Sequence, residues 1–402
     1  MAKQSSMKEN MKHTEQTSAK DTSVLWTKAE LEQALEAARK TAKPAPYIED
    51  WRKTNPDLFP WDRFEDKPES DLREVTLHDP DSLVLFDWGE YADTMRDMLA
   101  IAGDDYDAKF LHYHRAKSEN PVCVVGKKNS TPRPVEILQK TGGGRVGYDT
   151  TLIIVETGAE LTVLDRWEAP DQETALVGRT EILLKGGARL NFMQEDQVHT
   201  SGSVYRRARV RMERDAVLNW TFMTPGAAWH AARLEIFLDG TNTDAHVYGL
   251  FAGAGKCRAD HRTHQYHSAP NAQSKLTFKT LLAGEAHSVY QGMITVPQQA
   301  QKTDAYQQCR NLMLDPHTHA DAIPMLEIIA DDVKCSHGAS IGSLNAEQMF
   351  YLRSRGLNYR EALTAVAAGF AEEIILHVPL ETVQESWRKL VSKTISKASG
   401  TV

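Results

Sequence analysis

Apolar positions in this chain change their period twice. Between Thr27 and about Ala42 they recur at helical spacing through Leu31, Ala34, Leu35 and Ala38. Thr27 with Glu30 has the form of a capping box, and Trp26 and Leu31 flank it as a hydrophobic staple. A helix is therefore predicted there, closed by Pro44 and Pro46. A proline-punctuated, aromatic-rich passage follows to about Phe64, opening on Glu49-Asp50-Trp51-Arg52-Lys53-Thr54. From about residue 70 short apolar runs replace the helical period, with one helix expected near Tyr91 to Ile101. From Thr150 the runs become regular strands: Leu152–Glu156, Leu161–Trp167, Glu181–Leu184, Leu190–Gln194, Val204–Met212, Leu218–Phe222, Leu234–Leu238 and His246–Leu250.

Small residues mark a weak repeat in the turns. Gly158-Ala159-Glu160-Leu161, Gly187-Ala188-Arg189-Leu190, Asp215-Ala216-Val217-Leu218 and Asp244-Ala245-His246-Val247 place alanines 29, 28 and 29 residues apart. A period of that length with two short strands per repeat suits a solenoid, in which each coil buries its inner face only against its neighbours. A right-handed parallel β-helix is preferred on this ground to a Greek-key sandwich, which the same strand spacing also allows.

After Ser340 the helical period returns with explicit end signals. Asn345 and Gln348 stand as cap and third residue, Phe350, Tyr351 and Leu352 supply an apolar face, and Gly356 closes the helix. Asn358 with Glu361 opens a second helix, with Leu363, Val366, Phe370 and Ile374 on one stripe. A third, about Leu380 to Ile395, places Val383, Trp387, Leu390 and Val391 together. These helices are expected to cover the open end of the solenoid, to dock a partner, or both. The chain thus divides into a flexible tail over 1–22, a helical subdomain over 23–70, a β-helix core over 71–342 and a C-terminal helical subdomain over 343–402.

Composition narrows the function classes. The 402 residues carry 47 basic and 55 acidic side chains, a net charge of -8, which argues against nucleic acid or an anionic membrane as a general partner. The longest apolar runs fall far short of the ~20 residues of a membrane helix, and no apolar signal-peptide core follows Met1, so a cytoplasmic location is the expectation. No G-x-x-x-x-G-K-[ST] phosphate loop is present, so the chain is not expected to hydrolyse ATP, and no enzyme activity is assigned to it. A polysaccharide-acting β-helix enzyme needs carboxylates aligned on successive coils, and none are found.

Candidate chemistry is sparse. Cys123, Cys257, Cys309 and Cys335 are scattered without any C-x-x-C spacing, and three of the four are read as small packing residues. His261, His264 and His267 divide between the two faces of one strand and are read as structural, as are His317 and His319 beside Asp315-Pro316 in a turn. Cys335 and His337 stand out because residues two apart on a strand share a face. A thiol and an imidazole there make a metal-ligand pair, half of a coordination sphere, and Lys334 is positioned to lower the Cys335 thiol pKa.

At these residues the chain resembles the SufB/SufD family of iron–sulfur cluster assembly proteins, and more closely its SufD branch. The resemblance is carried by Ala300-Gln301-Lys302-Thr303-Asp304-Ala305-Tyr306-Gln307, by Leu326-Glu327-Ile328, and by Asp331-Asp332-Val333-Lys334-Cys335-Ser336-His337-Gly338-Ala339. Phe350-Tyr351-Leu352-Arg353-Ser354-Arg355-Gly356 and Gly369-Phe370-Ala371 continue it, and Glu49 to Thr54 is similar to a SufD element. Cys335-Ser336-His337-Gly338 stands where the SufB branch is more acidic, with Glu-His-Glu. The resemblance implies a β-helix core, pairing with SufB through C-terminal strands, and docking of the ATPase SufC on the C-terminal helices. It also implies a transient iron–sulfur cluster at the SufB interface, held with the help of His337, and it leaves open a flavin in the assembled complex and a homodimer when SufB is absent. Two departures stand out: Asp315 to Pro324 replaces the usual stretch before Leu326, and Ser340 stands where threonine is common. A β-helix interaction protein without a metal role is the alternative reading.

Overall fold

Strands that alternate between two faces at a 28–29 residue period have to stack coil on coil, and they do. The computed structural model describes residues 25–45, 47–48, 51–65, 72–77, 83–85, 91–101, 107–118, 121–128, 134–142, 144–171 and 173–399. The tail expected over 1–22 lies outside the described residues, as do Pro46, Glu49 and Asp50. Helix α1 (Lys28–Lys40) is followed by two short 3-10 turns, strands β1 (Leu72–Leu77) and β2 (Leu83–Leu85), and helices α2 (Ala92–Met98) and α3 (Ala108–Lys117). The solenoid begins with β3 (Val122–Gly126), β4 (Val135–Lys140), β5 (Val146–Val155), β6 (Glu160–Ala169), β7 (Ala175–Leu184) and β8 (Arg189–Val198). It continues through β9 (Ser203–Met212), β10 (Val217–Pro225), β11 (Trp229–Leu238), β12 (Asp244–Gly255) and β13 (Arg258–His267). Its last strands are β14 (Gln273–Gly284), β15 (His287–Val296), β16 (Asp304–Met313), β17 (His319–Ile328) and β18 (Lys334–Ser343). Helices α4 (Ala346–Ser354), α5 (Tyr359–Ile375) and α6 (Glu381–Ser396) complete the chain.

Even-numbered strands from β4 form one sheet and odd-numbered strands from β3 the other, all paired in parallel, so consecutive strands lie in opposite sheets. Parallel pairing excludes the sandwich alternative, whose Greek-key strands run antiparallel. Among the described residues, only β1 on β4 and β2 on β3 pair antiparallel, at the N-terminal end. The interior between the sheets is an apolar column that includes Ile153, Leu190, Trp220, Ile236 and Phe278. Each is at most 1% exposed.

The corner between each odd strand and the next even strand explains the small-residue repeat. Gly158, Gly187, Asp215, Asn242, Asn271 and Lys302 all hold φ between 58° and 68°, the left-handed region that glycine, Asn and Asp tolerate best. Their N–H groups donate to the next coil, as in Gly187 to the Arg214 carbonyl (2.8 Å) and Asp215 to the Thr241 carbonyl (2.9 Å). The following residue is small and buried: Ala159, Ala188, Ala216, Thr243, Ala272 and Thr303. Ala245, read as the fourth repeat alanine, is not in this column; it pairs with Leu218 inside β12, because that coil is shorter and Thr243 takes the corner. Lys302 is the one long side chain in the left-handed column. Lys302→Gly is expected to stabilise the protein by roughly 0.5–1 kcal/mol, because relief of the Cβ clash exceeds glycine's extra unfolded-state entropy. The readout is a higher urea midpoint.

Both flanks of the solenoid are covered by helices. On the outer face of the odd sheet, Trp51 stacks on Phe110 of α3 and on Trp229, with the Arg262 guanidinium 5.0 Å from its ring centre. Helix α3 was not predicted, since Ala108, Phe110, Leu111, Tyr113 and His114 are buried around much of its circumference and leave no amphipathic stripe. On the outer face of the even sheet, α5 and α6 pack over Met193, Met223, Leu250 and Leu281 through Leu363, Ala367, Ile374 and Trp387. The helices therefore lie along the side of the solenoid and do not cover its last coil. The expected apolar face of α4 also differs. Met349 is buried, whereas Phe350 is 75% and Tyr351 55% exposed, because α4 packs on α5 and turns Met349 into the helical cluster with Leu352 partly buried against it.

Candidate functional site

Strand β16 turns Ala305, Gln307, Cys309 and Asn311 into the solenoid, and all four are buried. Its parallel neighbour β18 sets Cys335, His337, Ala339 and Ile341 in register with them, so these four continue the interior column by one coil. Among the described residues no strand pairs with the far side of β18 or of β17. The same column that is sealed at β16 is thus open at β18: His337 and Ala339 are exposed and Ile341 is 47% exposed. Ile328 and Ile329, at the end of β17, are 38% and 57% exposed and extend this apolar rim. An interior surface laid bare at the end of a solenoid, with unpaired strand edges, is a surface built to be covered.

Cys335 and His337 share a face as the spacing required, but they differ in setting. Cys335 is half-buried and packs on a small cluster containing Ile294, Val296, Ala300, Ala305 and Ala330. Burial raises its thiol pKa and the Asp304 charge raises it further, against a backbone hydrogen bond from Ala305 that lowers it. Lys334 does not activate this thiol, contrary to the expectation from sequence, because desolvation and Asp304 dominate. Behind His337, the Gln307 side chain lies over Gly292, where it leaves no room for a Cβ, and neither of its amide atoms has a hydrogen-bond partner.

The remaining cysteines are packing residues. Burial pushes the thiols of Cys123 and Cys309 up to about 12 and that of Cys257 up to about 11, values that keep them protonated and unreactive. Histidines of the polar strand are structural: His267 is paired with Ser274 (2.9 Å), His264 with Thr295 (2.9 Å) and His261 with Thr224 (3.4 Å). His317 lies exposed in a turn, as read. His319 does not; it opens β17 opposite His287 and within reach of Asp321. The missed signal was spacing: His287 and His319 are 32 residues apart, one coil, and Asp321 is two further along on the same face.

Chemically, the open end offers one exposed imidazole, one protonated and half-sheltered thiol, and an apolar rim. Imidazole replaces thiolate on iron in some clusters, yet a cluster takes four protein ligands, so this end supplies a minority of any such set.

Comparison with known proteins gives a family whose model, described as the SUF system FeS cluster assembly SufBD core domain, matches residues 137–370. The iron-sulfur cluster assembly protein SufD of Escherichia coli is 29% identical over 275 residues, 66% of this chain and 64% of that protein. An iron-sulfur cluster assembly SufBD family protein of Synechocystis is 30% identical over 252 residues, covering 60% of this chain and 55% of its own length. One from Mycobacterium leprae is 29% identical over 279 residues, 66% of this chain and 69% of its length. The match thus spans less than two thirds of the first two relatives.

Proposed function

The chain belongs to the SufBD core family of iron–sulfur cluster assembly proteins, and from that premise we propose that it is a SufD-like, non-catalytic scaffold subunit. The observation that carries this reading is the uncovered interior column of β18. A second solenoid with a matching open end, such as SufB, seats on β17 and β18, covers Ile328, Ile329 and Ile341, and completes a coordination sphere around His337 from its own thiolates. The cluster is cargo in this reading, and Cys335 is an accessory to it. A homodimer through the same edges is the expected state when SufB is absent.

The second contact is with the ATPase SufC. Phe350 and Tyr351 on α4 and Leu376 beyond α5, which is 64% exposed, stand on the C-terminal helices. Exposed aromatics on a helix that barely touches its own sheet suit an anchor for a partner. No helix among the described residues is long and apolar enough to cross a membrane. A flavin, if the assembled complex holds one, has no assigned residue here.

Co-expression with SufB and SufC from the same source, followed by anaerobic purification and spectroscopy, tests the reading. A complex of all three is expected. Ile341→Glu should release SufB and retain SufC, and the pair Phe350→Glu with Tyr351→Glu should release SufC and retain SufB, each lowering recovery of the lost partner at least tenfold. A chain that co-purifies with neither overturns the proposal. Half-burial and packing of Cys335 favour a second reading, an interaction subunit without a metal role. Iron content equal with and without His337 in the purified complex selects it.

A further inference from the structure

On the outer face of the odd sheet, away from the interior column, the parallel ladder assembles a second group of ligands. His287 and His319, the first residues of β15 and β17, are register partners, and Asp321 follows on the same face. His287 Nε2 lies 3.0 Å and His319 Nε2 3.3 Å from the same Asp321 Oδ2. Among the described residues this is the one place where three His, Cys, Asp or Glu ligand atoms come within 4.8 Å of one another. Two of the three side chains are sheltered, at 18% exposure for His287 and 17% for Asp321, and His319 forms the open side at 65%.

We propose that His287, His319 and Asp321 form a binding site for a borderline divalent transition metal such as Zn2+ or Fe2+, separate from His337. Donor chemistry selects the ion class: two imidazoles and one carboxylate are too rich in nitrogen for Mg2+ or Ca2+ and lack the thiolate that Cu+ prefers. Spacing agrees. Two ligands each ~2.1 Å from one ion, at tetrahedral or octahedral angles, stand ~3.0–3.4 Å apart, the separation seen between each imidazole nitrogen and the carboxylate oxygen. Adjacent rungs of a parallel ladder hold the three side chains with little freedom to lose. Asp321 is itself oriented by Lys53, whose Nζ is 2.9 Å from the other carboxylate oxygen, Oδ1. Lys53 is two residues from Trp51, which is packed against Phe110 and Trp229. Oδ2 is thereby turned to the histidines, the kind of outer support that metal-binding carboxylates have.

Arg258 opposes the ion. Its Nη1 is 3.2 Å from His287 Nδ1, and a guanidinium only donates, so with Arg258 in place His287 carries its proton on Nε2 and gives it to Asp321. Ion binding requires the Nε2 lone pair. The proton then moves to Nδ1, and Arg258, whose side chain is exposed, turns to solvent. Arg258 thus lowers affinity through both its charge and the tautomer it imposes. A carbonyl in its place would accept the Nδ1 proton and favour the ion.

The test is a titration of the chelator-stripped full chain with Co2+, a spectroscopic stand-in for Zn2+ and Fe2+. One equivalent should produce visible d–d bands that Zn2+ abolishes. His319→Ala should remove the bands and weaken binding at least tenfold, its melting curve serving as the folding control for an exposed position. Arg258→Gln should tighten binding several-fold, and His337→Ala should leave the titration unchanged, which keeps this result independent of the cluster site. Absence of saturable binding in both the native chain and Arg258→Gln, or binding that survives His319→Ala, reduces the group to an ion-pair network and overturns the proposal.

Discussion

His337→Ala is expected to abolish growth that depends on this chain for iron–sulfur enzyme maturation, while the chain folds normally and still co-purifies with SufB. The separation of the two effects follows from where His337 stands. It is on the interior column of β18, in register with buried Gln307, but exposed because no further coil covers it. Its truncation removes no buried packing, so the stability change should stay within about 0.5 kcal/mol. A ligand role would be lost completely, since the open end has no second exposed imidazole in the column to replace it. Cys335→Ala should be milder, because that thiol is protonated and packed against Ile294 and Val296. His337→Cys should restore part of the function, thiolate being an alternative ligand for iron. The check is the activity of an iron–sulfur reporter enzyme in cells relying on each variant, and normal activity with His337→Ala would remove the ligand role.

Acidification from pH 7 to pH 5 is expected to destabilise the protein by about 4 kcal/mol or more, a large part of the stability of a typical domain. His114 and His267 are buried, and each has its pKa lowered to about 4. Burial is the first cause in both, joined at His114 by the Arg179 charge. The folded values lie below the unfolded value of ~6.5, so the unfolded chain takes up these protons first. Stability from these groups is therefore full above about pH 6.5 and falls as the pH drops toward the folded pKa near 4. At pH 5 each contributes a loss of about 2 kcal/mol, from ~1.5 pH units at 1.36 kcal/mol each. His261 acts in the same direction, buried beside His230 and lowered well below its ordinary value. Asp196 adds nothing in this window. Burial raises its pKa, but Arg206 and His230 outweigh burial and hold it low, so its contribution is lost only below the unfolded carboxylate range. Urea midpoints at pH 7 and pH 5 measure the loss, and His267→Gln should shrink the difference between them. A midpoint that does not move between the two pH values would remove these histidines from the acid response.

How much was legible depended on the range of the interaction that decides each feature. The strands β5 to β12 and the caps at Thr27, Asn345 and Asn358 were read directly, because apolar runs of strand length and capping hydrogen bonds are local. The corner repeat was read with a slip at Ala245, since coil lengths vary and only stacking shows which residue takes the left-handed position. Phe350 and Tyr351 were read as a buried face because apolar residues carry no mark that distinguishes a core from a partner.

By itself the sequence favoured a solenoid over a sandwich, placed helices at both ends of the chain, and set a thiol and an imidazole on one face of a late strand, each by spacing along the chain, while the parallel pairing that excludes the sandwich came from the structure. Tertiary structure alone decided that Cys335 is sheltered and its thiol protonated, that the C-terminal helices lie on the flank and leave β18 open, and that His287 meets His319 and Asp321. The physical reason is register: a coil brings together residues about thirty positions apart, and whether a side chain is covered depends on the next coil, which no local pattern records.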